Sequence, residues 1–381
     1  MTNILFIHQS ADLYGSDKTL LLLLSRIDRT KFNPIVVIPL DGPLKEELEK
    51  IDINVVVAPV LKLYRKMFTP KNLFLFFKQY KKALATLDEL HREYQFKLIY
   101  SNTLAVLLGM IYAKKRNVKH LWHVHEIIVH PKPIAYIFPK LLKRFADVVV
   151  CNSRATLTNL TQREPVLSSK SIVIHNGLKP NQEPFRSISK KDLGFDEQDV
   201  IITLIGRINR LKGHKCLLNA YLKYLHQKSN CKLLFVGSPV VGQEYYLEEI
   251  KTIIQKQQLS EAVKIVDFTK DLRPILAISD IITVPSTEAE SFGLVALEAM
   301  LAQKPVIGSN HGGLTEIIAN EKTGFLVEPN NEDELAMAIE KLAESPNTRE
   351  KFGKEGYQRA INDFSEEQYV RKFEDLFIRL S

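Results

Sequence analysis

Residues 285–300 read PSTEAESFGLVALEAM, and this stretch decides the fold. It follows the apolar run Ile281-Ile282-Thr283-Val284, which is typical of a buried parallel strand. Pro285 ends the strand, and apolar residues recur at helical spacing from Phe292 onward. The stretch is therefore predicted to be strand, loop and helix. In an open α/β sheet, ligands bind at the carboxyl ends of strands, where a helix N-terminus favours anions.

Two carboxylates flank the start of the predicted helix, Glu290 in the loop and Glu298 within the helix. They are eight residues apart in the sequence, which is about 12 Å along a helix axis. That separation suits the two ends of a pyrophosphate, and Gly293 would let a phosphate approach the backbone. The sequence leaves open a second interpretation, in which Glu290 caps the helix and Glu298 is a solvated helix residue.

Short apolar runs alternate with helical patterns along the whole chain, which predicts α/β structure with parallel sheets. A length of 381 residues favours two domains. We expect a first domain over residues 1–178, a linker over 179–199, a second domain over 200–364 and a final helix over 365–381. The linker is polar and contains Pro180 and Pro184.

Further polar residues follow the predicted strands. Arg207 and Lys212 share one strand-to-helix loop, where two cations suit a pyrophosphate, although a solvated basic loop is the alternative. His123 and His125 alternate along a strand and are expected to point to opposite faces. Ser101-Asn102-Thr103 is expected to cap a helix, and Gly312-Gly313 to offer backbone donors to an anion.

The positive charge lies in the first half of the chain. Residues 61–146 carry 17 Lys and Arg against 4 Asp and Glu, a net charge of +13, whereas the whole chain carries +8. The segment Leu61 to Leu84 mixes basic and bulky apolar residues, which is typical of a segment at an anionic membrane surface. An amphipathic helix packed on its own domain is the alternative. No nucleic-acid-binding motif accompanies the charge.

Other sequence features indicate a cytoplasmic protein that needs no metal. The three cysteines, Cys151, Cys216 and Cys231, are widely spaced and match no disulfide or zinc pattern. No signal peptide or membrane-spanning run is recognised. No Asp-x-Asp motif occurs, so we expect no metal and no other cofactor.

The combined pattern resembles the retaining GT-B glycosyltransferases of family four, also called glycosyl transferases group 1. The residues that carry the resemblance are Gly206-Arg207, Lys212-Gly213, Val236-Gly237, Asp280, Val284-Pro285-Ser286, Glu290 to Gly293, Glu298-Ala299, Gly312-Gly313, Glu316 and Thr323-Gly324, with Gly15-Ser16, His125-Glu126, Asn152-Ser153 and Asn176-Gly177 in the first half. The resemblance covers nearly the whole chain and is strongest from Val200 to Val327. It implies two Rossmann-like, doubly wound domains that face each other across a cleft, with the last helix crossing back to the first domain.

The resemblance also implies roles for individual residues. Arg207 and Lys212 would bind the donor diphosphate, Glu290 the donor sugar and Glu298 the ribose. Backbone amides around Ser291, Phe292, Gly293 and Leu294 would meet the phosphates, His125 would lie near the reacting centre, and Gly15 and Ser16 would lie by the phosphate and the acceptor. Catalytic roles are thus implied for His125, Glu290, Arg207 and Lys212.

The implied activity is transfer of a sugar from a nucleotide-sugar donor, expected to be UDP-linked, to a glycan or lipid-linked acceptor in surface polysaccharide biosynthesis. A protein of this kind would act in the cytoplasm, peripherally at the inner membrane face. Two alternatives stay open: a GT-B nucleotide-sugar epimerase or hydrolase, and a non-catalytic nucleotide-sugar-binding subunit.

Overall fold

The structure is a computed structural model that describes residues 1–61, 70–180, 184–226 and 230–381, and the side chains of all of these except 70–77. Residues 62–69 of the basic segment Leu61 to Leu84, predicted to contact a membrane, therefore lie outside the described residues, as do the side chains of 70–77. The described chain divides into two compact units. Unit 1 comprises Met1–Gly177 with Glu366–Ser381, and unit 2 comprises Leu178–Ser365.

Unit 1 is built on a parallel sheet. Its strands are β1 (Thr2–His8), β2 (Phe32–Ile38), β3 (Asn54–Val57), β4 (Leu98–Asn102), β5 (Lys119–Val124), β6 (Val148–Cys151) and β7 (Ser171–Val173). They lie in the order β3-β2-β1-β4-β5-β6-β7, and every pair is parallel. The chain therefore reverses its direction of travel across the sheet between β1 and β4.

Helices cover both faces of this sheet. They are α1 (Gly15–Arg26), α2 (Pro43–Glu49), α3 (Pro70–Tyr94), α4 (Leu108–Arg116), α5 (Lys132–Phe145) and α6 (Arg154–Thr161). Alternate residues of β1 enter different cores: Ile4 and Phe6 pack in one cluster, and Leu5 and Ile7 in another. Burial on both faces explains why the strands read as continuous apolar runs rather than as alternating ones.

Unit 2 repeats the arrangement. Its strands are β8 (Val200–Ile205), β9 (Cys231–Val236), β10 (Val263–Val266), β11 (Ile281–Val284), β12 (Val306–Ser309) and β13 (Gly324–Val327). The order β10-β9-β8-β11-β12-β13 is that of a doubly wound nucleotide-binding sheet. The helices are α7 (His214–Ala220), α8 (Tyr245–Lys256), α9 (Arg273–Ile278), α10 (Leu294–Leu301), α11 (Leu314–Ile317), α12 (Glu332–Glu344) and α13 (Pro346–Asp363).

The segment predicted to be a linker, residues 179–199, lies within unit 2. Phe195 is 2% exposed and belongs to the same core cluster as Phe292 and Leu297. Ile188 and Leu193 pack against that cluster. The described part of this segment thus contributes to the core of unit 2.

The last helix, α14 (Glu366–Leu380), packs on unit 1. Tyr369, Phe373 and Phe377 enter the core cluster that holds Phe6 and Tyr100. The ring centroids of Phe6 and Phe377 lie 6.0 Å apart in an edge-to-face arrangement. Apolar packing of this face fixes the end of the chain on the first unit, as the sequence predicts.

Candidate active site

The two loops at the centre of the unit 2 sheet lie where ligands bind in doubly wound folds. One loop follows β8 and the other follows β11, and these strands are neighbours at which the strand order reverses. Hydrogen bonds join the loops, because Thr287 donates its backbone N–H to the oxygen of Leu211 at 2.9 Å and its hydroxyl to the oxygen of Arg210 at 3.1 Å. The predicted site residues of this half are therefore brought together at one edge of the sheet.

Lys212 and Glu290 form an ion pair across these loops. Lys212 Nζ donates to Glu290 Oε1 at 2.6 Å, and Ser286 Oγ donates to the same oxygen at 2.5 Å. The turn that carries Lys212 is fixed by Asn209, whose Oδ1 accepts from the backbone N–H groups of Leu211 and Lys212. Both charged groups are therefore held in position before any ligand is present.

The environment keeps Glu290 ionised. Burial by itself would raise the pKa of this carboxyl, but the charge of Lys212 and the hydrogen bonds from Lys212 and Ser286 outweigh burial and hold the pKa below 4.5. The side chains of Lys212 and Glu290 keep 29% and 18% of their surface exposed. A ligand can therefore reach a charged pair that is only partly solvated.

The predicted anion site at the start of α10 has a buried apolar base. Phe292 is 2% exposed and its ring packs against Phe364 at 6.0 Å, so only its backbone faces the loop side. Gly293 precedes α10 with φ +109°, and a Cβ there would lie 2.5 Å from a side-chain carbon of Leu314. The positive φ thus favours glycine at this position, and access for a phosphate is a second reason for a residue without a side chain.

The first backbone N–H groups of a helix have no acceptor within it, so the start of α10 presents donors to an anion. Glu298 lies further along α10 and is partly exposed. Arg207 lies two residues after the end of β8, and it is exposed. These positions allow the predicted contacts with ribose and diphosphate, which stay predictions.

Gly313, the second glycine of the pair after β12, has a different role from the predicted one, whereas the N–H of Gly312 as a donor to an anion stays a prediction. Gly313 donates its N–H to the backbone oxygen of Glu290 at 2.7 Å. A Cβ at Gly313 would lie 2.5 Å from Phe292 Cα, and one at Gly312 would lie 2.3 Å from the oxygen of Glu290. The expectation that Gly313 offers its N–H to an anion is wrong, because this pair instead holds the Glu290 loop by close backbone contact.

In unit 1, a second cluster of polar side chains lies at the point where the strand order reverses. His8 ends β1 and Asn102 ends β4, and the two are register partners in adjacent strands. His8 Nε2 lies 2.6 Å from Asp17 Oδ1, and Asn102 Nδ2 lies 3.0 Å from His8 Nδ1. Asp17 belongs to the first turn of α1, which begins at the predicted residues Gly15 and Ser16.

His125 joins this cluster. Its Nε2 lies 2.8 Å from Asn102 Oδ1 and 3.1 Å from His123 Nδ1. Burial lowers the pKa of His125 to about 3. The backbone N–H of His125 donates to the carboxylate of Glu126, which also accepts from the N–H of Leu104. His125 is therefore a neutral imidazole on an anchored loop.

The expectation that His123 and His125 point to opposite faces is wrong. Their ring centroids lie 3.9 Å apart. Strand alternation does not apply, because β5 ends at Val124 and His125 lies beyond it. His123 is fully buried, its Nδ1 forms a hydrogen bond with the Tyr100 hydroxyl, and its ring packs against that of His125 on the interior side.

The sequence analysis missed His8, Asp17 and Asn102. It interpreted Asn102 as part of a helix cap, but α4 begins only at Leu108 and Asn102 faces His8 and His125. Their positions in the sequence could have indicated a site, since His8 and Asn102 each end a predicted strand at the sheet centre. Ser286 was included in the family motif but was given no role.

Two further observations concern the described part of the chain. No group of three or more His, Cys, Asp or Glu side chains is arranged there to hold a metal ion. No described helix is both long enough and apolar enough to cross a membrane.

Comparison with known proteins identifies the family. Residues 185–359 match the family model described as glycosyl transferases group 1, and residues 15–182 match that of glycosyltransferase family 4. The chain is 25% identical over 331 residues to EpsD of Bacillus subtilis, which is named as a glycosyltransferase, with 82% of each chain covered. It is 29% identical over 219 residues to the D-inositol 3-phosphate glycosyltransferase of Rhodococcus jostii, covering 52% of this chain and 46% of that one.

A solved structure extends the likeness to the complete fold. The crystal structure of Anabaena HepE in complex with UDP-glucose superimposes with a TM-score of 0.84 at 25% identity, and all of both chains is covered. The two matched regions together span both units described above. The chain therefore belongs to glycosyltransferase family 4, with the GT-B fold.

Proposed function

We propose that this glycosyltransferase transfers a sugar from a UDP-sugar to a glycan or lipid-linked acceptor, with retention of anomeric configuration and without a metal ion, in surface polysaccharide biosynthesis. The observation that carries the proposal is the Lys212–Glu290 ion pair beside the N-terminus of α10. The similarity to HepE, whose structure contains UDP-glucose, favours a UDP-linked donor.

The ion pair suggests how the donor is received. A nucleoside diphosphate brings negative charge, which competes with Glu290 for the ammonium of Lys212. Once Lys212 turns to the diphosphate, Glu290 Oε1 keeps only its bond from Ser286 and is able to accept hydrogen bonds from sugar hydroxyls. The pair thus neutralises both charges until the donor separates them.

Charge neutralisation of the leaving group follows from the same residues. Departure of UDP places negative charge on the diphosphate, and Arg207, Lys212 and the backbone donors of α10 would stabilise it there. Fixed cations of this kind provide the stabilisation that Mg²⁺ or Mn²⁺ supplies in other transferases. We therefore propose that binding and transfer proceed in the presence of a chelator.

Retention is proposed to occur by attack on the same face from which the diphosphate leaves. Glu290 is an ionised carboxylate of the loop, but one of its oxygens accepts a hydrogen bond from Ser286, and this bond stays when Lys212 turns to the diphosphate. The bond weakens Glu290 as a nucleophile, which favours a positioning role over a covalent one. The departing phosphate would then accept the proton of the acceptor hydroxyl.

His125 would act as a hydrogen-bond acceptor rather than as a base. A pKa of about 3 keeps the ring neutral at physiological pH but makes it a weak proton acceptor. A neutral ring nitrogen can receive a hydrogen bond from a substrate hydroxyl near the reacting centre.

An anionic membrane surface is the proposed place of action, at the cytoplasmic face. Helix α5 supports this proposal, because it exposes Tyr136 and Ile137 at 55% and 46% beside the exposed residue Lys140. Aromatic and basic side chains on one helix surface are typical of interfacial binding. The net charge of +13 over residues 61–146 has the sign that anionic lipid attracts.

Turnover assays test the proposal. UDP release is measured from UDP-glucose, UDP-galactose and UDP-N-acetylglucosamine in EDTA, with and without a synthetic polyprenyl-diphosphate sugar. We expect release from one donor that depends on the acceptor, and NMR of the product should show the anomeric configuration of the donor. Release that is independent of acceptor would indicate a hydrolase, and activity that is lost in EDTA and restored by Mn²⁺ would contradict metal independence.

A further inference from the structure

In the polar cluster of unit 1, chemistry fixes the direction of the hydrogen bonds at two residues, Asn102 and Asp17. A backbone carbonyl can only accept, and Asn102 Nδ2 lies 3.2 Å from the oxygen of Ser16. This contact fixes which end of the Asn102 side chain is the amino group. Asp17 is ionised: burial would raise its pKa, but bonds from His8, Ser10 and the Tyr14 backbone N–H hold it below 3.8.

The directions of the bonds to His8 and His125 then follow. Asp17 can only accept, so His8 donates from Nε2 across the 2.6 Å contact. The amino group of Asn102 lies 3.0 Å from His8 Nδ1, so this nitrogen accepts. The oxygen of Asn102 faces Nε2 of His125 at 2.8 Å, and that nitrogen must donate because an amide oxygen can only accept.

We infer that Asn102, held by Asp17 through His8 and by the Ser16 carbonyl, is a positioning residue that keeps His125 in the Nε2–H tautomer. The lone pair of His125 then lies on Nδ1, and no hydrogen bond engages that atom within the described residues. This inference deepens the proposed function and rests on it, because His125 would receive a substrate hydroxyl at Nδ1. Orientation of an imidazole by a fixed partner is a general means of setting its tautomer.

His123 is a further close neighbour of His125. Its Nδ1 lies 2.5 Å from the Tyr100 hydroxyl, which can donate or accept, and 3.1 Å from His125 Nε2. The oxygen of Asn102, at 2.8 Å, is the nearer partner of His125 Nε2. The titratable or charged groups that face His125, directly or through Asn102, are His123, His8, Asp17 and Glu126.

NMR of protein labelled with ¹⁵N in its histidine rings tests the tautomer without substrate. The signals of His125 are identified by their loss in His125→Asn. In the wild type we expect a protonated Nε2 and an unprotonated Nδ1 at His125, and in Asn102→Leu a mixture of both tautomers. Ser101→Ala is the matched control, since it removes a strand-end hydrogen bond to His120 instead and should leave the His125 signals unchanged.

Kinetics provide the second readout. Asn102→Leu should lower kcat on the order of tenfold, the loss of one hydrogen bond, while the KM for the donor changes less than kcat. Asn102→Asp places a carboxylate against Nε2 of His125 and favours the protonated form of that ring. In this variant kcat should therefore fall as the pH is lowered within about pH 5–8, whereas the wild type should show no such fall. Asn102→Asp also keeps the test valid if Asn102→Leu does not fold.

A wild-type His125 signal in folded Asn102→Leu, wild-type kcat in that variant, or a wild-type pH profile in Asn102→Asp would overturn the assignment. Failure of the proposed function can be told apart from failure of the tautomer assignment. Absence of UDP-sugar binding to the wild-type protein would refute the donor site without changing the NMR result.

Discussion

Replacing Lys212 by Met removes the ammonium that lies 2.6 Å from Glu290 Oε1 while keeping most of the side-chain volume. A hydrogen bond to a charged group contributes about 1.5–3 kcal/mol. Because both side chains are partly exposed, we expect the contribution of this pair to stability to lie between that of a surface ion pair and that of a fully buried one. We expect the variant to fold and to lose about 1.5–3 kcal/mol of stability, which corresponds to about 3–12 °C in the Tm of a unit of this size.

The effect on catalysis should exceed the effect on folding. Loss of one fixed donor to the leaving diphosphate typically lowers turnover by about 10²-fold, so transfer by Lys212→Met should fall at least about tenfold. Glu290→Gln should lower transfer by at least about tenfold as well, by a different route. It frees Lys212 for the diphosphate, so UDP should bind this variant as tightly as the wild type or more tightly.

Calorimetric titration with UDP in EDTA separates the two roles, and turnover is measured on the same preparations. Lys215→Met is the matched control, because Lys215 lies three residues away and pairs with Glu249 at the surface with a side chain that is 60% exposed. We expect this control to bind and turn over like the wild type. Wild-type transfer by Lys212→Met, or an equal loss of UDP affinity in Lys212→Met and Glu290→Gln, would refute the assignment of diphosphate and sugar to these two residues.

Three further predictions concern stability, the core and the membrane. The lowered pKa of Glu290 contributes stability that is present above about pH 4.5 and is lost as the pH falls through the pKa of the folded state. The difference in unfolding free energy between the wild type and Glu290→Gln should therefore shrink on acidification, and an unchanged difference down to pH 3 would contradict this. Phe292→Ala should lower the unfolding free energy measured in urea by about 3–5 kcal/mol, whereas Phe268→Ala, at an exposed ring, should lower it by about 0.5 kcal/mol or less. Equal losses in the two variants would contradict the placement of Phe292 in the core. Combining Tyr136→Ser with Lys140→Glu should weaken cosedimentation with phosphatidylserine vesicles about tenfold or more, and wild-type cosedimentation would exclude this surface of α5 from membrane binding.

The sequence predicts the central strands well because they are buried on both faces. Runs such as Ile281–Val284 and Val200–Ile205 are apolar apart from one threonine each, and the proline or glycine that follows marks the sheet edge where the site lies. The positions of Lys212 and Glu290 could therefore be predicted together from their places after neighbouring strands. Their ion pair could not, because side-chain direction in a loop depends on contacts such as that of Asn209.

The histidine cluster shows where sequence patterns stop being informative. Alternation predicts opposite faces for His123 and His125 only while the strand continues, and β5 ends between them. Asparagine is a residue type that often caps helices, but the partners of Asn102, His8 and His125, come from other parts of the chain. Gly313 presents a similar case, since the close approach of the Glu290 loop that it permits is a tertiary contact.

The central claim is that unit 2 binds a nucleotide-sugar diphosphate through Lys212 and the start of α10. Thermal unfolding with UDP-, GDP- and ADP-sugars in EDTA tests it most directly, with Lys212→Met measured alongside. A ligand at a hundred times its Kd should stabilise the protein by about 2.7 kcal/mol. We predict a clear rise in Tm with UDP-sugars that is much smaller in Lys212→Met. No rise with any nucleotide sugar, with or without Mg²⁺ or Mn²⁺, or an equal rise in the variant, would contradict the proposed donor site.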